Sequence, residues 1–81
     1  MPYEISLDRD HETGLDRYTI VLGTDFDRAD AHELSAWLLA ASQNPTASFA
    51  VDSSRVDELD SELAAALAVV GAEDLAGLGY A

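Results

Sequence analysis

The chain opens with Tyr3, Ile5 and Leu7 alternating with Glu4, Ser6 and Asp8. A period of two marks a half-buried strand, here placed at a sheet edge. Residues 9–16, RDHETGLD, are polar and contain Gly14. They read as a loop between antiparallel strands, longer than the tightest hairpins. Tyr18 to Leu22, YTIVL, is nearly all apolar. A run apolar on both faces predicts an interior strand covered on both sides.

Gly23 and Thr24 end that strand, and Asp27 or Asp30 can cap a following helix. Ala31, Leu34, Trp37, Leu38 and Ala41 then form one apolar stripe, with His32, Glu33, Ser35 and Gln43 outside it. The helix stops near Asn44, because the residue before Pro45 disfavours α geometry. Ala47 to Val51 fits a short buried strand, and Asp52-Ser53-Ser54 is turn chemistry. A second helix begins between Asp57 and Ser61, with two competing starts. Ser54 can cap with Asp57 following, or Asp60 can cap with Ser61 in the first turn. Leu59, Leu63, Leu67 and Val70 supply its buried stripe, and the alanines among them permit close approach. Residues 71–81 hold three glycines and read as a tail, with a short strand around Leu78 to Tyr80 as the alternative.

The element order β-β-α-β-α predicts a single α/β domain over residues 1–81. Its small mixed sheet has three strands, or four if the last segment adds one. The strand-helix-strand unit should be parallel with a right-handed crossover, the first strand antiparallel, and the helices packed on the sheet. If the sheet ends at Ala47–Val51, that strand has an open edge and invites a homodimer.

Composition narrows this reading. At 81 residues with no cysteine, the chain has a thin core and no disulfide or thiolate metal site. Sixteen acids against four arginines, with no lysine, give a net charge of −12. That charge repels nucleic acid and anionic membrane and leaves room for a basic partner, but a solvated surface adapted to high salt is the reading that charge runs favour. No leader-like segment and no 18-residue apolar run is present, so the expected location is the cytoplasm. Asp25, Asp27 and Asp30 do not make a calcium loop, since the glycine such a loop needs at its sixth position is here Asp30. His11 and His32 have no histidine partner at ligand spacing. Asp52-Ser53-Ser54 has neither a nucleophile elbow nor an identifiable His-acid partner. Trp37 lies on the apolar stripe and reads as core. No enzyme and no cofactor is expected.

Two segments, TDFDRADAHELSAWL at residues 24–38 and VDSSRVDELDSEL at residues 51–63, together resemble the STAS domain family (sulfate transporter and anti-sigma factor antagonist domains). In residues 24–38, TDFDRADAHELSAWL, Asp25, Phe26, Asp27 and Leu34 hold the places of the family's Gly-acid-Leu-Asp segment and its helix, with Thr24 replacing the glycine. In residues 51–63, VDSSRVDELDSEL, Asp52, Ser54, Val56, Leu59, Asp60 and Ser61 match a strand-ending Asp, a Ser-x-Val turn and an Asp-Ser-Ser/Thr-Gly helix start. Glu62 replaces the second Ser/Thr of that start, and Leu63 its glycine. The family's fourth strand and last helix have no counterpart, so the resemblance is to a shortened or diverged member.

The resemblance implies a regulatory protein-binding module that docks on an anti-sigma kinase or related regulator. Phosphorylation of the turn would break the complex by adding charge at a helix N-terminus. Ser61 is the candidate phosphoacceptor, flanked by Asp60 and Glu62. The candidate partner-binding residues are Asp25, Asp27, Asp52, Ser54, Asp57, Asp60, Ser61 and Glu62. The alternative is a small acidic inhibitor, a nucleic-acid mimic such as an anti-defence protein or antitoxin, blocking a basic partner.

Overall fold

A computed structural model describes residues 2–75. Its elements run β1 (Tyr3–Arg9), β2 (Asp16–Leu22), α1 (Arg28–Ala41), β3 (Ala47–Asp52), α2 (Ser61–Val70) and β4 (Glu73–Asp74). They form one sheet in the order β1-β2-β3-β4 under two helices. β1 pairs antiparallel with β2, from Tyr3 opposite Leu22 to Arg9 opposite Asp16. β3 lies parallel to β2, and β4 parallel to β3. The mixed α/β architecture read from the hydrophobic pattern is thus present, with a fourth strand.

One core holds the layers together. Ile20 and Leu22 of β2 and Phe49 and Val51 of β3 meet Ala31, Leu34 and Leu38 of α1 and Leu63, Ala66 and Leu67 of α2. Burying these side chains is the main stabilising term, at about 1.5–3 kcal/mol for each large one. Tyr18 stacks on Phe49 at 5.5 Å between ring centroids, and Trp37 meets both edge-on. Trp37 therefore belongs to the margin of the core.

Three expectations require correction. β2 is an interior strand, but both helices cover the same face of it. Arg17, Thr19 and Val21 point to the other face, where the Arg17 guanidinium reaches Glu73 at 2.8 Å across β3. The apolar look of YTIVL reflects strand propensity as well as burial. Second, Ser35 is buried at 2% exposure, not on the polar side of α1. Its hydroxyl donates to the Ala31 carbonyl at 2.6 Å, which satisfies it inside the helix and lets α1 approach α2. Third, β3 is not an edge: Glu73 and Asp74 pair with Ala50 and Val51. That strand lies within the segment read as a tail; Leu78 to Tyr80 fall outside the described residues. Gly71 allows the return, ending α2 at φ +68°, after which the Ala72 amide donates to the Leu67 carbonyl.

The far end of the sheet is held by Asp16. Its carboxylate accepts from Arg9 Nε at 2.8 Å and from Asn44 Nδ2 at 3.3 Å, joining β1, β2 and the loop before β3. The Arg9 hydrogen bond holds the Asp16 carboxyl below the usual range.

Candidate partner-docking site

β2 and β3 run parallel, so their C-terminal ends lie at the same edge of the molecule, and the loops leaving them start α1 and α2 side by side. This is the end at which open α/β sheets bind ligands. The first loop carries Asp25, which is exposed, and Phe26, which packs edge-on against Tyr3 at 5.9 Å. Asp27 then caps α1. Its carboxylate accepts from the Asp30 amide at 2.9 Å, and the Asp30 carboxylate accepts from the Asp27 amide at 3.1 Å. Both aspartates proposed as alternative caps take part in this reciprocal box.

The second loop begins at Asp52, the last residue of β3. Its carboxylate accepts from the Ser54 amide at 3.0 Å. The Ser54 hydroxyl, helped by that amide and by nearby Arg55, holds the Asp52 carboxyl below its ordinary range. The Val56 amide donates to the Ser53 carbonyl and closes the turn. Ser54 is thereby committed to the turn after β3, and Asp60 caps α2 by accepting from the Glu62 amide at 2.9 Å. The helix starts at Ser61 because Asp60 supplies the side-chain acceptor that its orphan amides need.

The two helix starts enclose a cleft of about 460 Å³ lined by Phe26, Asp27, Arg28, Glu58, Leu59, Asp60 and Ser61. Of the candidate residues, Asp27, Asp60 and Ser61 come together here. Asp25, Ser54 and Asp57 sit in the surrounding loops and Asp52 at the end of β3, all outside the lining. Glu62 lies one residue on and faces α1, with its oxygens 2.9 and 3.1 Å from His32 Nδ1. A smaller hollow of about 190 Å³, lined by Tyr3, Glu4, Val21, Gly23 and Arg55, lies under the first loop.

Chemically, the cleft is a shallow acidic notch with an apolar floor at Phe26 and Leu59 and one guanidinium, Arg28. Each helix N-terminus carries positive partial charge, answered by its own aspartate cap. Reading the sequence did not assign Arg28, Glu58 or His32 to this site. Arg28 is the first residue of α1, directly after the Asp27 cap, so its place at this helix start was readable although its direction was not. No local signal determines which α1 residue opposes Glu62. Among the described residues, no group of three or more His, Asp or Glu side chains is placed to hold a metal ion. No helix among them is long and apolar enough to cross a membrane.

The chain matches the family model described as "Mlab, STAS domain" over residues 11–77. That span contains both signature segments and the cleft between them. No curated protein and no solved structure matches the chain at a significant level.

Proposed function

The chain belongs to the STAS domain family, and from that premise we propose that it is a regulatory protein-interaction module docking through residues 52–63 and the adjoining start of α1. The observation carrying this reading is the convergence of the two signature segments on one cleft, with Asp27 and Asp60 as paired caps on its two sides. A partner presenting an apolar side chain to Phe26 and Leu59, ringed by Lys or Arg, fits that notch. The proposed partner is an anti-sigma kinase or related regulator. The module then acts as an anti-sigma factor antagonist in the cytoplasm, without catalysis of its own and without direct contact to nucleic acid or membrane.

Asp25, Asp52, Ser54 and Asp57 form the rim of the proposed surface, and Glu62 its flank. Ser61 is exposed in the first turn of α2 and is the candidate phosphoacceptor. A phosphate there would gain from the helix N-terminus and from Arg28 across the cleft, and lose from Asp60 and Glu62. Titrating labelled protein with a candidate regulator tests the docking surface by amide shifts. Shifts centred on residues 25–28 and 52–63 are expected; a complex that leaves them unmoved refutes the reading.

The net charge of −12 favours a second reading, that of an acidic inhibitor covering a basic site. Mimicry of nucleic acid predicts affinity that falls steeply as salt rises. Affinity held constant from low to high salt would leave the apolar notch as the source of binding.

A further inference from the structure

β1 lies at the end of the sheet, and among the described residues no strand pairs with its outer side. The Gly23 amide donates to the Pro2 carbonyl at 2.7 Å, and the Asp10 amide to the Leu15 carbonyl at 2.9 Å. These two bonds fix the phase of the ladder. Glu4, Ser6 and Asp8 spend their backbone groups on β2, and Tyr3, Ile5, Leu7 and Arg9 turn theirs outward. The same outward-bonding residues include the poorly covered apolar side chains Ile5, at 36% exposure, and Leu7, at 52%. Between Tyr3 and Arg9 the edge has no proline, no lysine and no bulge in the register; its only protecting charges are Glu4, Asp8 and Arg9, so the register must keep like charges apart.

The geometry points to a second copy of this chain as the occupant of that edge. The two β1 strands would pair antiparallel about a twofold axis at Ile5 and extend one sheet across both molecules. Matching outward groups to outward groups leaves three registers of useful length. Centring on Ser6 sets Glu4 opposite Asp8 twice, and like charges directly opposite destabilise a pair. Centring on Leu7 sets Ile5 against Arg9, which is already engaged with Asp16. Centring on Ile5 sets Tyr3 opposite Leu7 twice and Glu4 opposite Ser6 twice. It alone joins Tyr3, Ile5 and Leu7 of both copies into one apolar stripe on the helix side, with no acid facing an acid. Each copy carries −12, so long-range repulsion opposes the pairing and salt relieves it. This interface is independent of the docking cleft and stands or falls separately from it.

Sedimentation equilibrium of the full chain at low and high salt tests the inference, with Ile5→Lys, Ser6→Lys and Ser6→Glu alongside. A dimer that tightens with salt is expected. Ser6→Lys sets a lysine opposite Glu4 twice and should tighten the dimer about two- to thirty-fold, and Ser6→Glu should loosen it comparably. Ile5→Lys should abolish the dimer while keeping the far-UV circular dichroism, since that side chain is already partly in water. Protein that stays monomeric at every concentration and salt overturns the inference. So does a dimer indifferent to Ile5→Lys, and a dimer loosened by Ser6→Lys refutes the Ile5-centred register.

Discussion

Asp60 has two tasks that a pair of substitutions can separate. Its carboxylate caps α2 through the Glu62 amide, and its charge lines the cleft. Asp60→Ala removes both. An N-cap aspartate replaced by alanine costs about 1 kcal/mol, within a range of about 0.5–2. For a domain of this size, each kcal/mol lowers Tm by about 4–8 °C. The loss should stay near that figure, because Leu63, Ala66 and Leu67 still anchor α2 to the core and only the first turn frays. Asp60→Asn keeps an oxygen acceptor in the same place and gives up only the charge beside the helix dipole, about 0.3–1 kcal/mol. Thermal melts followed by circular dichroism should therefore rank wild type above Asn above Ala. Binding of a basic partner should fall with both variants, since both remove the charge. If Asp60→Asn lowers Tm as far as Asp60→Ala, the side-chain oxygen is not the cap. A flat response to both, with Ser54→Ala carrying the loss, would assign the cap to the other start.

Four further outcomes follow from particular groups. The Tyr3 hydroxyl donates to Glu33 at 2.7 Å, which raises its pKa from 10.0 to about 12, with burial adding to the shift. Its folded value lies above its unfolded one, so its contribution is complete below pH 10 and is lost as pH rises from 10 to 12. The full rise from 10.0 to about 12 would be about 2.7 kcal/mol, reduced by solvent screening to about 1, so Tyr3→Phe should remove about that much and flatten urea midpoints across this window. Asp10, Asp16 and Asp52 are depressed, so their contribution is complete above the ordinary carboxylate range and disappears as pH falls through their lowered values; Asp16→Asn and Asp52→Asn should each blunt the acid limb of a stability–pH curve. Ser53 is fully buried and its hydroxyl lacks a hydrogen-bond partner, so Ser53→Ala should stabilise by about 1 kcal/mol in chemical denaturation. Leu34→Ala and Leu67→Ala each empty a fully buried site and should cost about 2–5 kcal/mol, read as lower urea midpoints.

The elements legible from sequence were those whose periodicity agreed with their local chemistry. α1 is the clearest case, with a capping box at Asp27 and Asp30 preceding a stripe that does pack inward. The start of α2 was legible only as a choice, because Ser54 and Asp60 both carry capping side chains. The fold decided it by committing Ser54 to the turn after β3. What periodicity missed was set by contacts distant in sequence. Ser35 looks polar yet is buried, because an i to i−4 hydrogen bond satisfies it where α1 meets α2. Glu73 and Asp74 form a strand despite low β propensity, because β3 presents a free edge and Arg17 reaches over to Glu73. At the cleft, both signature segments were readable, but the pairing of Glu62 with His32 depends on the helix–helix approach and has no local signature.

The acidity of the chain divides by task. Asp27, Asp30 and Asp60 cap helices; Asp10 and Asp52 hold turns; Asp16, Glu33, Glu62 and Glu73 accept from Arg9, Tyr3, His32 and Arg17. Much of the excess of aspartate over glutamate thus has a local cause, since aspartate is the better cap and turn former. A salt adaptation alone would spread acids without regard to helix starts and strand ends. Glu4, Asp8 and Glu12 have no such task and lie on β1 and the loop after it; Asp25, Asp57 and Glu58 also have none, and these three gather at the end of the molecule where α1 and α2 begin. Their cost is electrostatic: they add charge beside Asp27, Asp52 and Asp60, where the arginines among the described residues are Arg28 and Arg55. A cluster that destabilises the free protein locally, without capping or pairing anything, favours a complex in which a partner supplies the missing cations. The same charges would be relieved by salt in the free chain. Raising salt should therefore stabilise the monomer against urea while weakening its docked complex, and those opposite signs belong to this one end of the molecule.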